Sequence, residues 1–254
     1  MHHILVIGIG TGNPEHMTVQ AINALNSADI VLIPQKGAEK AELAALRREI
    51  CTRYLTNPHT RLVPFALPRR DTALADYRQG VDEWHAAIAA TYHGLLATHL
   101  PEGGRAALLV WGDPSLYDST LRIIERLRGL TDAPLDCTVI PGIASPQALA
   151  ASHRLPLNAI GEAVHITTGR KLMQDGFPAH TGTVLVMLDG EASFRHLTGE
   201  DLDIVWGAYV GMADETLISG RLAEVSETIM TTRAALRERK GWIMDVYWLR
   251  RHGQ

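Results

Sequence analysis

Three features of the chain predict an α/β protein of two domains. Its 254 residues, against about 150 per domain, exceed one ordinary domain without filling two large ones. Short β-branched runs alternate with segments whose apolar residues recur every three or four positions, as when strands exchange with amphipathic helices. Glycine-bearing loops follow four of these runs, in both halves of the chain.

Residues 3–9 form a β-branched run ending among glycines, and Val19, Ile22 and Leu25 follow Thr18 at one-turn spacing, which predicts strand, loop and helix. Residues 29–33 predict a second strand stopped by Pro34, and Leu43, Leu46 and Ile50 a second helix. Residues 61–63 add a third strand. Between residues 81 and 99, Trp84, Ile88 and Leu95 share a helical face, and 106–111 follow as a fully apolar strand of the buried kind. The first half is therefore expected to hold a largely parallel sheet. Asp118 is placed to cap a helix bearing Leu121, Ile124 and Leu127, and the 129–134 stretch is the expected boundary, giving domains 1–130 and 131–254. The second domain is assigned strands at 137–140, 164–167, 183–188, 204–210 and 216–218, with few long helices between the later ones, so its sheet is mixed or antiparallel. Residues 242–249 fit a last strand or a docking segment.

Composition removes several classes of function. Hydrophobic residues at 46% and charged residues at 20% are those of a globular chain, not a disordered or fibrous one. With 24 Lys and Arg against 28 Asp and Glu the net charge is −4, and without a basic block nucleic acid is not an expected partner. The apolar runs 4–9 and 106–111 fall far short of the ~20 residues that span a bilayer. No leader segment is expected, and Cys51 and Cys137 form neither a CxxC pair nor a disulfide framework, which points to a reducing, cytoplasmic compartment. His85, His93 and His99 are not spaced to place a metal pair on one helical face, so no metal is expected.

The glycine loops hold the chemistry. In the first, Gly8, Gly10 and Gly12 let a backbone approach a phosphate, but Asn13 stands where a dinucleotide fingerprint needs a small residue. Pro34, Gln35 and Lys36 likewise occupy the end of the second strand, where that fingerprint needs an acid. A nicotinamide nucleotide is disfavoured, and a plain tight turn is the other reading. In the second loop Gly112 follows the apolar strand and Asp113 precedes Pro114, which holds its backbone extended as a rigid edge for a flat ligand, or as an Asx turn. In the third, Ser145 caps a helix with Pro146 at its first position, leaving amides that suit a carboxylate or simply a well-capped helix. The fourth follows a buried strand ending at Met187, a core residue or a cofactor contact. Loops at strand ends in both halves favour a crevice between two domains.

Gly8-Ile9-Gly10-Thr11-Gly12 with Met17-Thr18, then Gly112-Asp113-Pro114 with Tyr117, then Pro141-Gly142-Ile143-Ala144-Ser145 resemble, in order, the signatures of the tetrapyrrole methyltransferases. The likeness covers most of the chain. It implies a tetrapyrrole methylase-like fold, two α/β domains with a cofactor cleft between them, S-adenosyl-L-methionine as methyl donor, a tetrapyrrole substrate and a homodimer. Residue by residue it implies cofactor contacts at Gly112, Asp113 and Leu116, at Ala144 and Ser145, and at Met187 with Leu188. Gly211 and Met212 match a further contact, although Ala213 replaces the proline that relatives carry. Gly10, Thr11, Gly12 and His16 are implied substrate contacts, with Thr11 and Asn13 departing from the common pattern. Asp113 and Tyr117 are the implied catalytic groups, ahead of Glu15 and His16. A substrate bearing many carboxylates needs cations, for which Arg69 leads, with Arg70, Arg78 and Lys36 behind it. Residues 111–120 and 77–85 are most similar to the family member that methylates precorrin-5 and releases its acetyl group as acetate, giving precorrin-6A. Another precorrin C-methyltransferase, a nucleotide-dependent oxidoreductase and a non-catalytic tetrapyrrole carrier are the alternatives.

Overall fold

A computed structural model of the chain describes residues 1–35, 41–70, 77–131 and 133–253. It divides into two compact units, Met1–Gly10 with Pro14–Ile143, and Thr11–Asn13 with Ala144–Gln254. No helix among the described residues is long and apolar enough to cross a membrane.

The first unit is a parallel sheet with helices on both faces. Its strands β1 (His2–Gly8), β2 (Ile30–Gln35), β3 (Arg61–Ala66), β4 (Gly104–Val110) and β5 (Leu135–Ile140) lie in the order β3-β2-β4-β1-β5. Every pairing is parallel, with Ile4 opposite Ala106 and Cys137. The central strands β1 and β4 are buried along most of their length, as a sheet covered on both faces requires. Ile4, Val6, Leu108 and Val110 meet Ile88 of α3 (Tyr77–His99) and Ile124 of α4 (Thr120–Arg128) on one face. Leu5, Ile7 and Leu109 meet Leu25 of α1 (Val19–Asn26) and Ile50 of α2 (Ala41–Tyr54) on the other.

Three expectations for this unit shift. The boundary placed at 130 falls ahead of β5, whose ladder with β1 makes it an edge strand of the first sheet, and the unit runs on to Ile143. Pro34 does not stop β2 but lies inside it, opposite Phe65. Pairing of β2 with β4 ends at Leu32, so a residue without an N–H sits where β2 no longer lines up with β4. At α4 the cap position belongs to Ser119, and Asp118 instead accepts a 2.6 Å bond from the Thr120 amide.

The second unit carries a mixed sheet in the order β6-β7-β10-β8-β9. Its strands are β6 (Val164–Thr168), β7 (Thr183–Met187), β8 (Leu202–Ala208), β9 (Thr216–Arg221) and β10 (Asp245–Arg251). β6 and β7 run parallel, whereas β10 is antiparallel to both β7 and β8. The 242–249 segment thus contributes the sheet's central strand and is not a docking tail. Helices α5 (Ser145–His153), α6 (Gly169–Asp175) and α7 (Leu222–Lys240) complete the unit.

Among the described residues no long helix separates β7, β8 and β9, as expected, but the 19-residue α7, which the apolar spacing does not mark, follows β9. Its buried stripe, Leu222, Ser226, Ile229, Arg233 and Leu236, contains a serine and an arginine, so its apolar rhythm is broken in the sequence. Arg233 is only 7% exposed. Its Nε donates to Asp245 Oδ2 at 2.9 Å and its Nη2 to the Asp189 carbonyl at 2.8 Å, while Trp206 Nε1 donates to the same Asp245 oxygen at 3.0 Å. Burial pushes the Asp245 carboxyl up, and Arg233 pulls against that rise. Breaking a buried pair leaves a charge stranded. Arg233→Ala is therefore expected to lower stability by about 3–5 kcal/mol in urea unfolding, and replacing Arg233 and Asp245 together by Met and Leu to recover much of that loss.

Candidate functional site

In the first unit the three glycine loops meet at the carboxyl edge of the sheet, where β1, β4 and β5 end side by side. The backbones touch so closely that side chains are excluded. A Cβ on Gly8 would lie 2.6 Å from the Gly142 nitrogen and 2.8 Å from the Gly112 carbonyl oxygen, and one on Gly142 would fall within 2.1 Å of that oxygen. Gly10 and Gly112 form a two-way bridge, with Gly112 N donating to Gly10 O at 2.8 Å and Gly10 N to Gly112 O at 3.4 Å. Gly112 has φ +62, open to glycine and costly for other residues. His16 packs on the open side of Gly10, where a Cβ would meet its own Cβ at 2.4 Å.

Asp113 locks these loops together. Its Oδ2 accepts the Gly142 amide at 2.9 Å, and its Oδ1 accepts the Ser115 amide at 2.8 Å and the Ser115 hydroxyl. Burial alone would raise this carboxyl, but the bonds from Ser115 and Gly142 outweigh it and hold the group below its ordinary 3.8. The Asx turn, one of the two readings of this loop, is present, together with a second link to the loop after β5. A carboxylate so engaged holds backbone in place and is a weak proton acceptor. The Asp113 carbonyl accepts the Leu116 amide at 3.2 Å, and Tyr117, at φ +52, is 42% exposed with its phenol held above the ordinary value by burial. Left-handed backbone at a tyrosine is strained, as at many functional loops.

Arg69 is exposed beyond the end of β3, and no bond ties it to the glycine loops among the described residues. Lys36 lies outside the described residues. Thr11 and Gly12 group with the second unit. No set of His, Cys, Asp and Glu among the described residues is placed to hold a metal.

The remaining predicted contacts belong to the second unit. Ala144, not Ser145, is the cap residue of α5, and Ser145 is its first helical residue, with Pro146 in the first turn. Met187 ends β7, and Leu188 follows at φ +54, 67% exposed. The turn behind Leu188 is fixed by Asp189, a residue the sequence reading did not single out. Its carboxylate accepts the Ser193 amide at 2.6 Å and the Tyr247 hydroxyl at 2.7 Å. Gly211, at φ +83, donates its amide to Glu215 Oε2 at 2.7 Å, and Ser152 of α5 donates its hydroxyl to the same oxygen at 2.8 Å. Glu215 thereby ties the Gly211–Met212 turn to α5. The one sequence cue to these two acids is their short offset from the amides they bind, four residues in each case.

The tetrapyrrole (corrin/porphyrin) methylase family model matches residues 3–226. The chain is 56% identical over 251 residues, 99% of its length and 96% of the relative's, to a deacetylating precorrin-6A synthase of Sinorhizobium sp.. It superposes with a TM-score of 0.84, at 40% identity and 98% coverage of both chains, on a cobalamin synthesis related protein (CobF) from Corynebacterium diphtheriae. The uroporphyrin-III C-methyltransferase of Thermus thermophilus, solved in complex with S-adenosyl homocysteine, shares the fold with a TM-score of 0.57 at 18% identity, covering 98% of this chain and 97% of that one.

A carboxylate held below its ordinary value stabilises the fold fully above its unfolded value and loses that contribution as pH falls through the folded one. Asp113→Asn is expected to cost about 1–3 kcal/mol near neutral pH. The gap between the two proteins should shrink as pH falls below 3.8, as urea unfolding at a series of pH values will show.

Proposed function

Because the chain belongs to the tetrapyrrole (corrin/porphyrin) methylase family, we propose that it carries out the reaction of a deacetylating precorrin-6A synthase. In this reading it methylates precorrin-5 at carbon, with S-adenosyl-L-methionine as donor, and releases the acetyl group as acetate. The observation that carries the proposal is the 56% identity, over 99% of the chain, to a synthase of that description.

S-adenosyl-L-methionine supplies an electrophilic methyl group on a cationic sulfur. The residues proposed to hold it are Gly112, Asp113 and Leu116 in the first unit, and in the second the starts of α5 (Ala144, Ser145), the end of β7 (Met187, Leu188) and the Gly211–Met212 turn. The set suits such a group. Gly112 leaves backbone bare, Leu116, Met187, Leu188 and Met212 offer apolar surface, and no member carries a positive charge to repel a sulfonium. S-adenosyl homocysteine bound to the Thermus thermophilus relative supports the same cofactor.

Methyl displacement neutralises a cation and asks for alignment rather than a strong base. The Asp113 bonds to Ser115 and Gly142 serve that end, so Asp113 is proposed as a positioning residue. Tyr117, protonated near neutrality, is proposed to donate a hydrogen bond and not to abstract a proton. Gly10, Thr11, Gly12 and His16 are proposed to face the macrocycle, and Arg69 to meet one of its carboxylates. The proposal includes a homodimer in the cytoplasm, with a tetrapyrrole and neither nucleic acid nor membrane as partner. Sedimentation showing a monomer at working concentration removes the dimer.

Incubation with precorrin-5 and methyl donor is expected to yield one methylated product and one acetate per turnover by mass detection. Methylation without acetate moves the chain to a sibling precorrin C-methyltransferase. Arg69→Glu is expected to raise the substrate dissociation constant about two- to fivefold, the worth of one exposed charge contact, with the affinity for S-adenosyl homocysteine unchanged.

A further inference from the structure

A crevice of about 210 Å³ opens within the first unit where β2 and β4 part. Their ladder ends at Leu32 and Leu108, although the strands continue to Gln35 and Val110. Apolar side chains, among them Leu32, Phe65, Ile88 and Leu108, form most of the wall. Among its polar lining residues, Arg47, Trp111 and Asp118 differ in character.

Arg47 enters from α2. Its Nε donates to the Leu109 carbonyl at 3.1 Å and its Nη1 to that of Leu43 at 3.3 Å, and the guanidinium lies 5.4 Å from the centre of the Trp111 ring. Burial draws it down to about 10, against the pull of Tyr92 and Asp118, so it remains a cation at neutral pH. No ion pair joins it to Asp118. Trp111 contributes a buried indole N–H with no hydrogen-bond partner. Asp118 completes the set, with one carboxylate oxygen on the Thr120 amide at 2.6 Å and the other without a hydrogen bond.

An unpaired buried N–H is costly and calls for an acceptor. An acidic side chain of the substrate would satisfy Trp111 and Arg47 but would face the like charge of Asp118. A neutral carbonyl accompanied by water satisfies all three, and a water takes only about 30 Å³ of such a space. We propose that this crevice is the deacetylation site, in which Trp111 and Arg47 hold the oxygen of the substrate's acetyl group and Asp118 activates the water that attacks it. The inference rests on the reading that the reaction releases acetate, and it assigns the catalytic groups that reading leaves open.

The step balances without any further reactant. Water attacks the acetyl carbonyl carbon as Asp118 takes one of its protons, and the negative charge on the former carbonyl oxygen develops between the Trp111 N–H and Arg47. The carbon–carbon bond to the ring then breaks. Its electron pair stays on the ring carbon, spread through the conjugated reduced macrocycle, and the acetyl group leaves as acetic acid. Asp118 gives its proton to solvent and the acid loses its own.

The test measures acetate and methylated product separately, with precorrin-5 and methyl donor, for wild type, Trp111→Phe, Asp118→Asn and Asp118→Glu. Trp111→Phe and Asp118→Asn are each expected to slow acetate release about 100-fold or more, with S-adenosyl homocysteine affinity by calorimetry unchanged. Asp118→Glu should restore part of the rate lost in Asp118→Asn. Acetate release near the wild-type rate in both variants overturns the site, as does an Asp118→Glu variant no faster than Asp118→Asn. Should Asp118→Asn fail to bind S-adenosyl homocysteine, Trp111→Phe decides alone, because it keeps the ring over Arg47 and removes little more than the donor. A wild type that methylates precorrin-5 and releases no acetate instead defeats the proposed function itself.

Discussion

Backbone lying directly on backbone at the carboxyl edge of the first sheet is the constraint on which the candidate site depends. Gly8, Gly112 and Gly142 come from three strands, and each occupies space that a methyl group on its neighbour would need. Such closeness brings polar groups together with no side chains to separate them, so their hydrogen bonds must be closed locally. The Gly10–Gly112 bridge closes two, and the Asp113 carboxylate, by taking the Gly142 and Ser115 amides, closes two more. What results is a rim of closely held, partly buried main chain, suited to a reaction that asks chiefly for alignment.

The second unit reaches rigidity by another route. Its strand ends hold two non-glycine residues in left-handed backbone, Leu188 and Tyr209. Such positions persist only where their surroundings over-determine them. Behind Leu188 stand Asp189, Tyr247, Arg233 and Asp245, a connected polar network beneath the sheet. Tyr209 is pinned by its amide on the Met244 carbonyl at 2.9 Å and its hydroxyl on that of Trp242 at 2.6 Å. Buried ion pairs are poor sources of net stability. Here the pair holds Asp189 and Gly190 from beneath, because Arg233 donates to both of their carbonyl oxygens.

Local backbone chemistry was legible from the residues alone. Gly112 before Asp113-Pro114 announces a bare, extended edge, and the alternation of apolar runs with helical rhythm gives the strands of both sheets in nearly their observed positions. Contacts across long separations were not legible. Nothing in the spacing of Asp113 and Gly142, 29 residues apart, says that one carboxylate will hold the other's amide. The 129–134 loop is a good turn, but turn composition cannot say whether the strand after it joins the sheet before or a new one, and β5 joined the old. Arg47 passed unnoticed on an ordinary amphipathic helix, because its meaning arises only where β2 and β4 separate. Arg233 and Ser226 hid α7 by placing polar residues on its buried face.

The position of β10 carries a consequence for how the molecule is made. β6, β7, β8 and β9 leave the ribosome first, yet β7 and β8 pair with β10 and not with each other. The second sheet therefore cannot close while the chain is still short of residue 245, and its open strand edges must wait, exposed, through the synthesis of α7. The first unit, whose strands all precede residue 141, faces no such delay, so translation itself separates the two units into an early folder and a late one, with the late one the more exposed to misassociation on the way.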